Sequence, residues 1–484
     1  MFIGLDLGTS GVRAVLMNEN QSMLASAQAH YDVTRPHIGW SEQNPQDWID
    51  GCRTALALLK AEHGDEMSSV KAISISGHMH GATLIDASDH ALRACILWND
   101  TRSSEEAKAF DENPIFRKLS GNIVFPGFTA PKLAWVKNHE AEIFDKTAKV
   151  LLPKDFLRLW LTGEHVSEMS DAAGTSWLDV AKRDWSNELL DASGMTIDQM
   201  PRLVEGSEAS GELRSELASE FGMPKGVIVA GGAGDNAASA CGIGATGDGE
   251  AFVSLGTSGV LFAANNSYRP DPESAVHTFC HAIPSMWHQM GVILSATDSL
   301  NWLSNITGRK PSELTAALGS DVKSPNAVKF LPYLSGERTP HNDSKIRGSF
   351  SNIDIASTPE DLTQSVIEGV SFALRDNLEA LRQAGTELDR IIAVGGGSRS
   401  DYWLGLLATI LGKPIDLPEQ GDFGAAFGAA RLAQASVSTT PIEQIMSLPK
   451  TAKSFEPNLN MSQEFDDAYQ QYRALYPALR GVYS

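Results

Sequence analysis

Leu7-Gly8-Thr9-Ser10-Gly11-Val12 and Leu255-Gly256-Thr257-Ser258-Gly259-Val260 are the same hexapeptide, occurring twice in one chain of 484 residues. Phe2-Ile3-Gly4-Leu5-Asp6 leads into the first copy and Arg13-Ala14-Val15-Leu16-Met17 leaves it; Phe252-Val253-Ser254 and Leu261-Phe262-Ala263-Ala264 flank the second. An apolar run, a Gly-rich turn and a second apolar run make the pattern of a tight hairpin. The glycines fall where positive φ and close backbone approach are expected. Such a turn offers backbone N–H groups and Thr or Ser hydroxyls to an anion, phosphate foremost. One copy alone reads equally well as an ordinary hairpin, but two in matching contexts indicate a duplicated domain.

The length exceeds one ordinary core, and 42% hydrophobic residues suffice to fill two or three. A net charge of −21 opposes binding to nucleic acid or an anionic membrane, so small molecules are the expected partners. The chain enters its first strand without a basic segment and hydrophobic stretch, and no apolar run reaches the roughly 18 residues of a membrane span. A cytoplasmic location is the expectation, and a homodimer is left open. Cys52, Cys95, Cys241 and Cys280 are scattered without a Cys-x-x-Cys pair, which predicts buried free thiols.

Further along, Met23–His30 reads as a strand, and Asn44 with Pro45 announces a helix whose apolar face is Trp48, Cys52, Ala55, Leu56 and Leu59. Strands are expected at Val70–Ser76 and Ala82–Ile85, and the stretch from about 86 to 224 should decorate the first lobe. Gly226–Ala230 opens the second half as a buried strand, runs into Gly231-Gly232-Ala233-Gly234-Asp235-Asn236 and turns helical. Thr358 caps a long helix from about 359 to 384. Ile391–Val394 runs into Gly395-Gly396-Gly397-Ser398 and a helix from Asp401 to Leu411, a geometry that lays a phosphate or nucleoside against backbone N–H groups. A helix from Gly424 to Ala435 and an acidic, aromatic tail complete the chain.

No P-loop is present. Gly242-Ile243-Gly244-Ala245-Thr246-Gly247 matches the dinucleotide fingerprint by letter, yet it follows a helix and precedes a strand, the reverse of the required order. His78 and His80 lack a third metal ligand and suit hydrogen bonding to a polar substrate; His277 and His281 have the spacing of a zinc helix without its Glu and read as structural. Asp6 and Asp235 are the carboxylates at Gly-rich strand ends, one in each half. ATP brings Mg²⁺, which one or two carboxylates suffice to place, and an ionised Asp can accept the proton of an acceptor hydroxyl. Asp235 also reads as a helix N-cap.

Together these residues resemble the FGGY carbohydrate kinases over essentially the whole chain. Asp6 to Gly11 is similar to the family's first phosphate motif, Leu255 to Gly259 to its second, Gly395 to Ser400 to its adenosine motif, and Gly127 to Val136 to its signature segment. Met79-His80-Gly81, Trp98-Asn99-Asp100 with Arg102, and Tyr333 to Pro340 resemble the variable segments of members acting on xylulose. The resemblance implies an α/β chain of two ribonuclease-H-like, actin-like ATPase domains with a nucleotide cleft between them. The expected N-terminal domain, 1–243, binds the sugar and carries the first hairpin, while the C-terminal domain, 244–484, carries the second hairpin and the adenosine motif. It further implies transfer from ATP to D-xylulose, with Asp235 as catalytic base, Met79, His80 and Asn236 on the sugar, and Asp6 acting through Mg-ATP. Thr9, Gly256, Thr257, Gly396 and Gly397 are expected on the nucleotide, and Asp6 and Asp235 on Mg²⁺. Ala233 departs from the all-Gly run expected before Asp235, and its methyl group requires a negative φ there. The alternatives are a kinase for another pentulose or a polyol, and an actin-like or chaperone-like ATPase that switches binding to a protein.

Overall fold

The computed structural model describes residues 1–419 and 423–483. The elements that build the site are, in chain order, β1 (Phe2–Gly8), β2 (Gly11–Met17), β3 (Met23–His30), α1 (Pro45–Glu62), β4 (Ala72–Gly77), α2 (Thr129–His139), α3 (Pro153–Thr162), β5 (Ala209–Glu212), β6 (Ile228–Ala230), β7 (Ala233–Gly234) and α4 (Asp235–Ile243). There follow β8 (Ala251–Leu255), β9 (Gly259–Asn265), β10 (His277–Cys280), β11 (Trp287–Ile293), α5 (Thr297–Thr307), α6 (Pro311–Ala316), α7 (Pro359–Gln383), β12 (Ile391–Val394), α8 (Asp401–Leu411), β13 (Ile415–Pro418), α9 (Ala425–Val437), β14 (Thr451–Phe455) and α10 (Ser462–Tyr483).

Two mixed sheets share one wiring. The first runs β5-β6-β4-β1-β2-β3, with β7 also on β4, and the second runs β10-β11-β9-β8-β12-β13-β14. In each, a hairpin and a third antiparallel strand are extended on the other side by two parallel strands: β3-β2-β1-β4-β6 matches β11-β9-β8-β12-β13. The duplicated hexapeptide thus marks a duplicated fold of the ribonuclease-H-like kind. Gly226–Ala230, read as the opening of the second half, instead places β6 in the first sheet beside β4.

Helices seal the outer faces. Asn44 Oδ1 accepts from Gln46 N at α1, as Pro45 and Asn44 predict, and Trp48, Cys52 and Leu56 of that helix pack on Leu5, Leu7 and Ile73. In the second lobe the Thr358-capped α7 covers Val253, Leu261 and Ala393 with Val366, Val370 and Leu374. Each fully buried side chain of this size contributes about 1.5–3 kcal/mol of hydrophobic stabilisation.

Between the sheets the lobes exchange helices. The α9 residues Ala426, Phe427 and Ala430 pack on Phe2, Val15 and Ala72 of the first sheet, whereas Ala240 and Ile243 of α4 pack with Phe252, Phe262 and Ile392 of the second. The two helices also cross each other closely enough that a Cβ on Gly428 would lie 1.7 Å from the Ala238 carbonyl oxygen. Gly4 is needed for the same reason, since a Cβ there would sit 1.9 Å from the Ala426 carbonyl oxygen.

Of the two reasons expected for the hairpin glycines, close backbone approach holds at Gly11 and positive φ holds at none. None of Gly8, Gly11, Gly256 and Gly259 has positive φ. Space excludes a side chain at two of them: a Cβ on Gly11 would lie 2.4 Å from the Ala29 carbonyl oxygen, and one on Gly259 would lie 2.7 Å from Ile293 Cγ1, whereas one on Gly256 would have no neighbour nearer than 3.5 Å. The four cysteines are free and buried. No helix among the described residues is long and apolar enough to cross a membrane.

Candidate active site

Parallel pairing gathers the first lobe's candidates at one sheet edge. Asp6 on β1 is in register with Ser76 on β4, and Ser76 with Ala233 on β7, so Asp6 and the strand leading to Asp235 lie two strand spacings apart, roughly 10 Å. Ligands of open α/β sheets bind at such carboxyl ends. Ala233 is extended, as its methyl group requires, and Gly234 is the N-cap of α4. Asp235 is therefore the first helical residue and not the cap itself. Because α4 starts at the first sheet and lies against the second, its N-terminus stands at the junction of the lobes.

Asp235 is held by its neighbour. Asn236 donates from its backbone N at 2.7 Å and from Nδ2 at 2.9 Å, both to Oδ1. Among the described residues nothing donates to Oδ2. Desolvation raises the Asp235 carboxyl above its ordinary value, and the two bonds from Asn236 oppose that rise.

Behind Asp235 lies a buried charge network that sequence reasoning missed. Lys154 Nζ is 2.6 Å from Asp155, 3.4 Å from Glu168 and 3.2 Å from Asp171, with every one of these side chains fully buried. Arg158 Nη2 donates to the Gly231 carbonyl at 2.6 Å, Glu168 accepts from Ser170 N and Asp171 N, and Ser170 Oγ accepts from Gly234 N at 3.1 Å. The network therefore grips the loop that presents Asp235 at both ends. No local pattern marks it, because its members are gathered from two separate chain segments.

Met79 and His80 follow the end of β4. A Cβ on Gly234 would lie 2.9 Å from Met79 Cγ, which sets Met79 against the backbone that leads into Asp235. His80 has a φ of 70°, a left-handed conformation that costs a non-glycine residue about 1–2 kcal/mol. Its backbone is fixed by Lys132 Nζ, which donates to its carbonyl at 2.8 Å, and by Thr129 Oγ1 at 3.2 Å. Burial pushes Lys132 down to about 7 and His80 down to about 3. His80 is thus neutral at pH 7. Its Nδ1 lies 2.7 Å from the Gly174 carbonyl and must donate to it, which leaves Nε2 as an acceptor.

The other sequence candidates separate. His78 is buried edge-on against Trp48, and among the described residues neither ring nitrogen has a hydrogen-bond partner, so it is packed away from the site where sequence paired it with His80. His277 and His281 are buried in and beside β10, consistent with packing. Arg102 is spent on Asp100 at 2.7 Å and on Glu42 at 2.7 Å, whereas Trp98 Nε1 donates to Thr9 Oγ1 at 3.1 Å.

The second lobe assembles a cavity. The Gly256 carbonyl accepts from Thr297 N at 2.9 Å and from Thr297 Oγ1 at 2.7 Å, and the Thr257 carbonyl accepts from Ala296 N at 2.8 Å, so the start of α5 is tied to the second hairpin turn. Gly395, at a φ of 92°, folds its loop against Leu255 at the end of β8. Between that loop, α5 and α6 lies a cavity of about 660 Å³ lined by Gly396, Gly397, Ser400, Leu300, Asn301 and Ser312, among others. Gly396 and Gly397 are where the sequence places a nucleoside; the α5 and α6 walls carry no sequence signature and were not foreseen.

A duplicated ribonuclease-H-like fold with a hairpin in each lobe defines a class that comparison with known proteins makes specific. Residues 1–242 match the N-terminal domain and residues 251–437 the C-terminal domain of the FGGY family of carbohydrate kinases. The chain belongs to that family. It is 46% identical over 484 residues to a xylulose kinase of Escherichia coli (strain K12), covering 99% of each chain, and 49% identical over 440 residues to one of Klebsiella pneumoniae, covering 90% of each. A crystal structure described as a xyloylose kinase from Brucella ovis superposes with a TM-score of 0.98 at 60% identity, covering 99% of each chain.

Proposed function

We propose that this chain transfers the γ-phosphoryl group of ATP to the 5-hydroxyl of D-xylulose, with Asp235 as the general base. The observation that carries the reading is the presentation of Asp235: one oxygen fixed by Asn236, the other open, on a helix that joins both lobes. Similarity to the xylulose kinases supports the choice of sugar.

In this scheme Asp235 Oδ2 takes the hydroxyl proton as the oxygen attacks phosphorus. His80 Nε2 accepts from a sugar hydroxyl, and Met79 gives the carbon chain an apolar wall beside Gly234. Thr9 and Thr257 bind the phosphates from the two hairpins, while Gly396 and Gly397 receive the nucleoside in the second-lobe cavity. Asp6 and Asp235, at the carboxyl ends of two strands with β4 between them, would hold the Mg²⁺ that accompanies ATP, since this ion prefers oxygen ligands, keeps several of its waters, and needs only one or two carboxylates. Bound there, the ion offsets charge on the phosphoryl group in transfer. Positioning and electrostatics supply most of the rate, because this chemistry asks for little covalent help.

ADP release measured over a panel of pentuloses, hexuloses and polyols tests the assignment. The expected result is the highest kcat/KM for D-xylulose and no stimulation by unfolded polypeptide. A higher value for another sugar would reassign the substrate.

A further inference from the structure

Arg338 stands in the Tyr333 to Pro340 segment, which the scheme above leaves without a role. Its backbone is pinned on both sides. Arg338 N donates to Glu337 Oε1 at 2.7 Å, Thr339 N donates to the Val292 carbonyl at 3.1 Å, and Thr339 Oγ1 donates to the Ala275 carbonyl at 3.0 Å. The guanidinium lies over the Phe125 ring, 4.8 Å from its centroid. Nη1 is 3.3 Å from His277 Nε2, the only hydrogen bond the guanidinium makes among the described residues, and no carboxylate there pairs with it. The His277 ring is 6.0 Å from that of Phe128, and Phe128 stacks on His80 at 4.5 Å. A side chain from the second lobe thus reaches the ring cluster that carries the first lobe's sugar candidate. Burial lowers the pKa of both His80 and His277, and the Arg338 charge adds a smaller lowering to each.

A guanidinium has five N–H donors and no acceptor, and a partly buried one with a single neutral partner is short of acceptors. The chemistry of the substrate supplies one. A 2-ketopentose closes to a furanose by adding its own O5 to the C2 carbonyl, so O5 is free to be phosphorylated only in the open-chain form. The carbonyl oxygen of that form is an acceptor and cannot donate. Asp235, Met79 and His80 follow one another, Phe128 stacks on His80, and Arg338 meets that ring cluster through Phe125 and His277, so a chain with O5 at Asp235 that runs past His80 has its carbonyl end on the side where Arg338 stands. We propose that Arg338 is a sugar-binding residue contributed by the second lobe, donating to the C2 carbonyl of the open-chain ketose. The proposal rests on the pentulose reading given above, and it also ties sugar recognition to both lobes.

Calorimetric binding to the full chain tests it, using D-xylulose and 2-deoxy-D-threo-pentitol, which keeps the other hydroxyls but has no oxygen at C2. The unaltered protein should bind D-xylulose about 10- to 100-fold more tightly than the deoxy compound, the range for a hydrogen bond to a charged donor. In Arg338→Gln that gap should close, with the KM for ATP unchanged. A gap that persists in Arg338→Gln, or affinities for both compounds that fall equally, overturns the proposal. If Arg338→Gln does not fold, Arg338→Met, which keeps an unbranched stem and removes every donor, decides it: a narrowed gap supports the role and an unchanged one overturns it. Because the readout is binding, the outcome is independent of whether Asp235 is the base, and failure of the unaltered protein to bind D-xylulose at all would count against the pentulose reading instead.

Discussion

The two hairpins share six residues and one strand order, yet their surroundings have diverged. In the first lobe the turn is gripped by side chains: Gln43 Nε2 donates to the Thr9 carbonyl and Trp98 Nε1 to the Thr9 hydroxyl. In the second, main-chain N–H groups at the start of α5, together with the Thr297 hydroxyl, bind the carbonyls of Gly256 and Thr257, and Thr257 itself is exposed. Beside the first turn lie an acidic residue held by a buried charge network and a neutral histidine. Beside the second lies a roomy cavity with a Gly-rich lip. On the proposed reading, a duplicated scaffold has kept the part that meets phosphate and specialised what adjoins it, one side for an acceptor and the other for a nucleoside.

Substitutions on either side should therefore separate. The largest effect is expected at the junction: Asp235→Asn should lower kcat by about 10²–10⁴-fold, the usual contribution of a general base, while both substrates still bind. Single-turnover kinetics with calorimetric binding measures this, and near-normal turnover would reject the assignment. Next comes the network found only behind the acidic loop. Lys154→Met leaves Glu168 and Asp171 without their buried cation and Asp155 with Arg158 alone, 3.5 Å away, and should cost about 3–5 kcal/mol in urea unfolding; a loss below 1 kcal/mol would mean the carboxyls simply take up protons.

A paired test then sharpens the contrast between lobes. A side chain at Gly397 must displace Leu255 Cβ, 2.8 Å from where its Cβ would lie, so Gly397→Val should raise the KM for ATP by about tenfold and spare that for the sugar. His80→Ala should do the opposite, raising the sugar KM by about five- to tenfold through one lost hydrogen bond. Parallel losses for both substrates in either variant would show a folding defect. The smallest effect is a shift in pH dependence. The base acts when ionised, so kcat/KM falls as pH drops through the Asp235 pKa. Asn236 Nδ2 favours the ionised form, so Asn236→Ala should raise that pKa and move the acid limb of the profile to higher pH. An unmoved or lowered limb would remove Asn236 from this role.

What was legible in the sequence was local. The Asn44-Pro45 and Thr358-Pro359 caps, the alternation of β3 and the strand-turn-helix at Gly395 all depend on residues a few positions apart, and each element forms where those residues direct. What escaped depends on distant partners. Gly11 and Gly259 read as turn formers, but neighbouring strands decide their need, through Ala29 and Ile293. His78 and His80 look alike in sequence, and only the fold sends one against Trp48 and the other beside Phe128. The exchange of α4 and α9, the α5 and α6 walls and the Lys154 network join segments far apart along the chain, beyond the reach of any periodicity. Tyr469 and Tyr472 of the aromatic tail pack into the second lobe's core from α10, a helix the tail's composition did not announce.

The central claim is that hairpins from two related lobes converge on one triphosphate with Asp235 over the alcohol that receives its terminal group. A crystal structure of Asp235→Asn with D-xylulose and a non-hydrolysable ATP analogue tests it most directly. The account predicts phosphate oxygens bound at both Thr9 and Thr257, with the sugar's 5-hydroxyl as the nearest substrate oxygen to residue 235. A nucleotide held by one turn alone, or a sugar whose 5-hydroxyl points away from that residue, would contradict it.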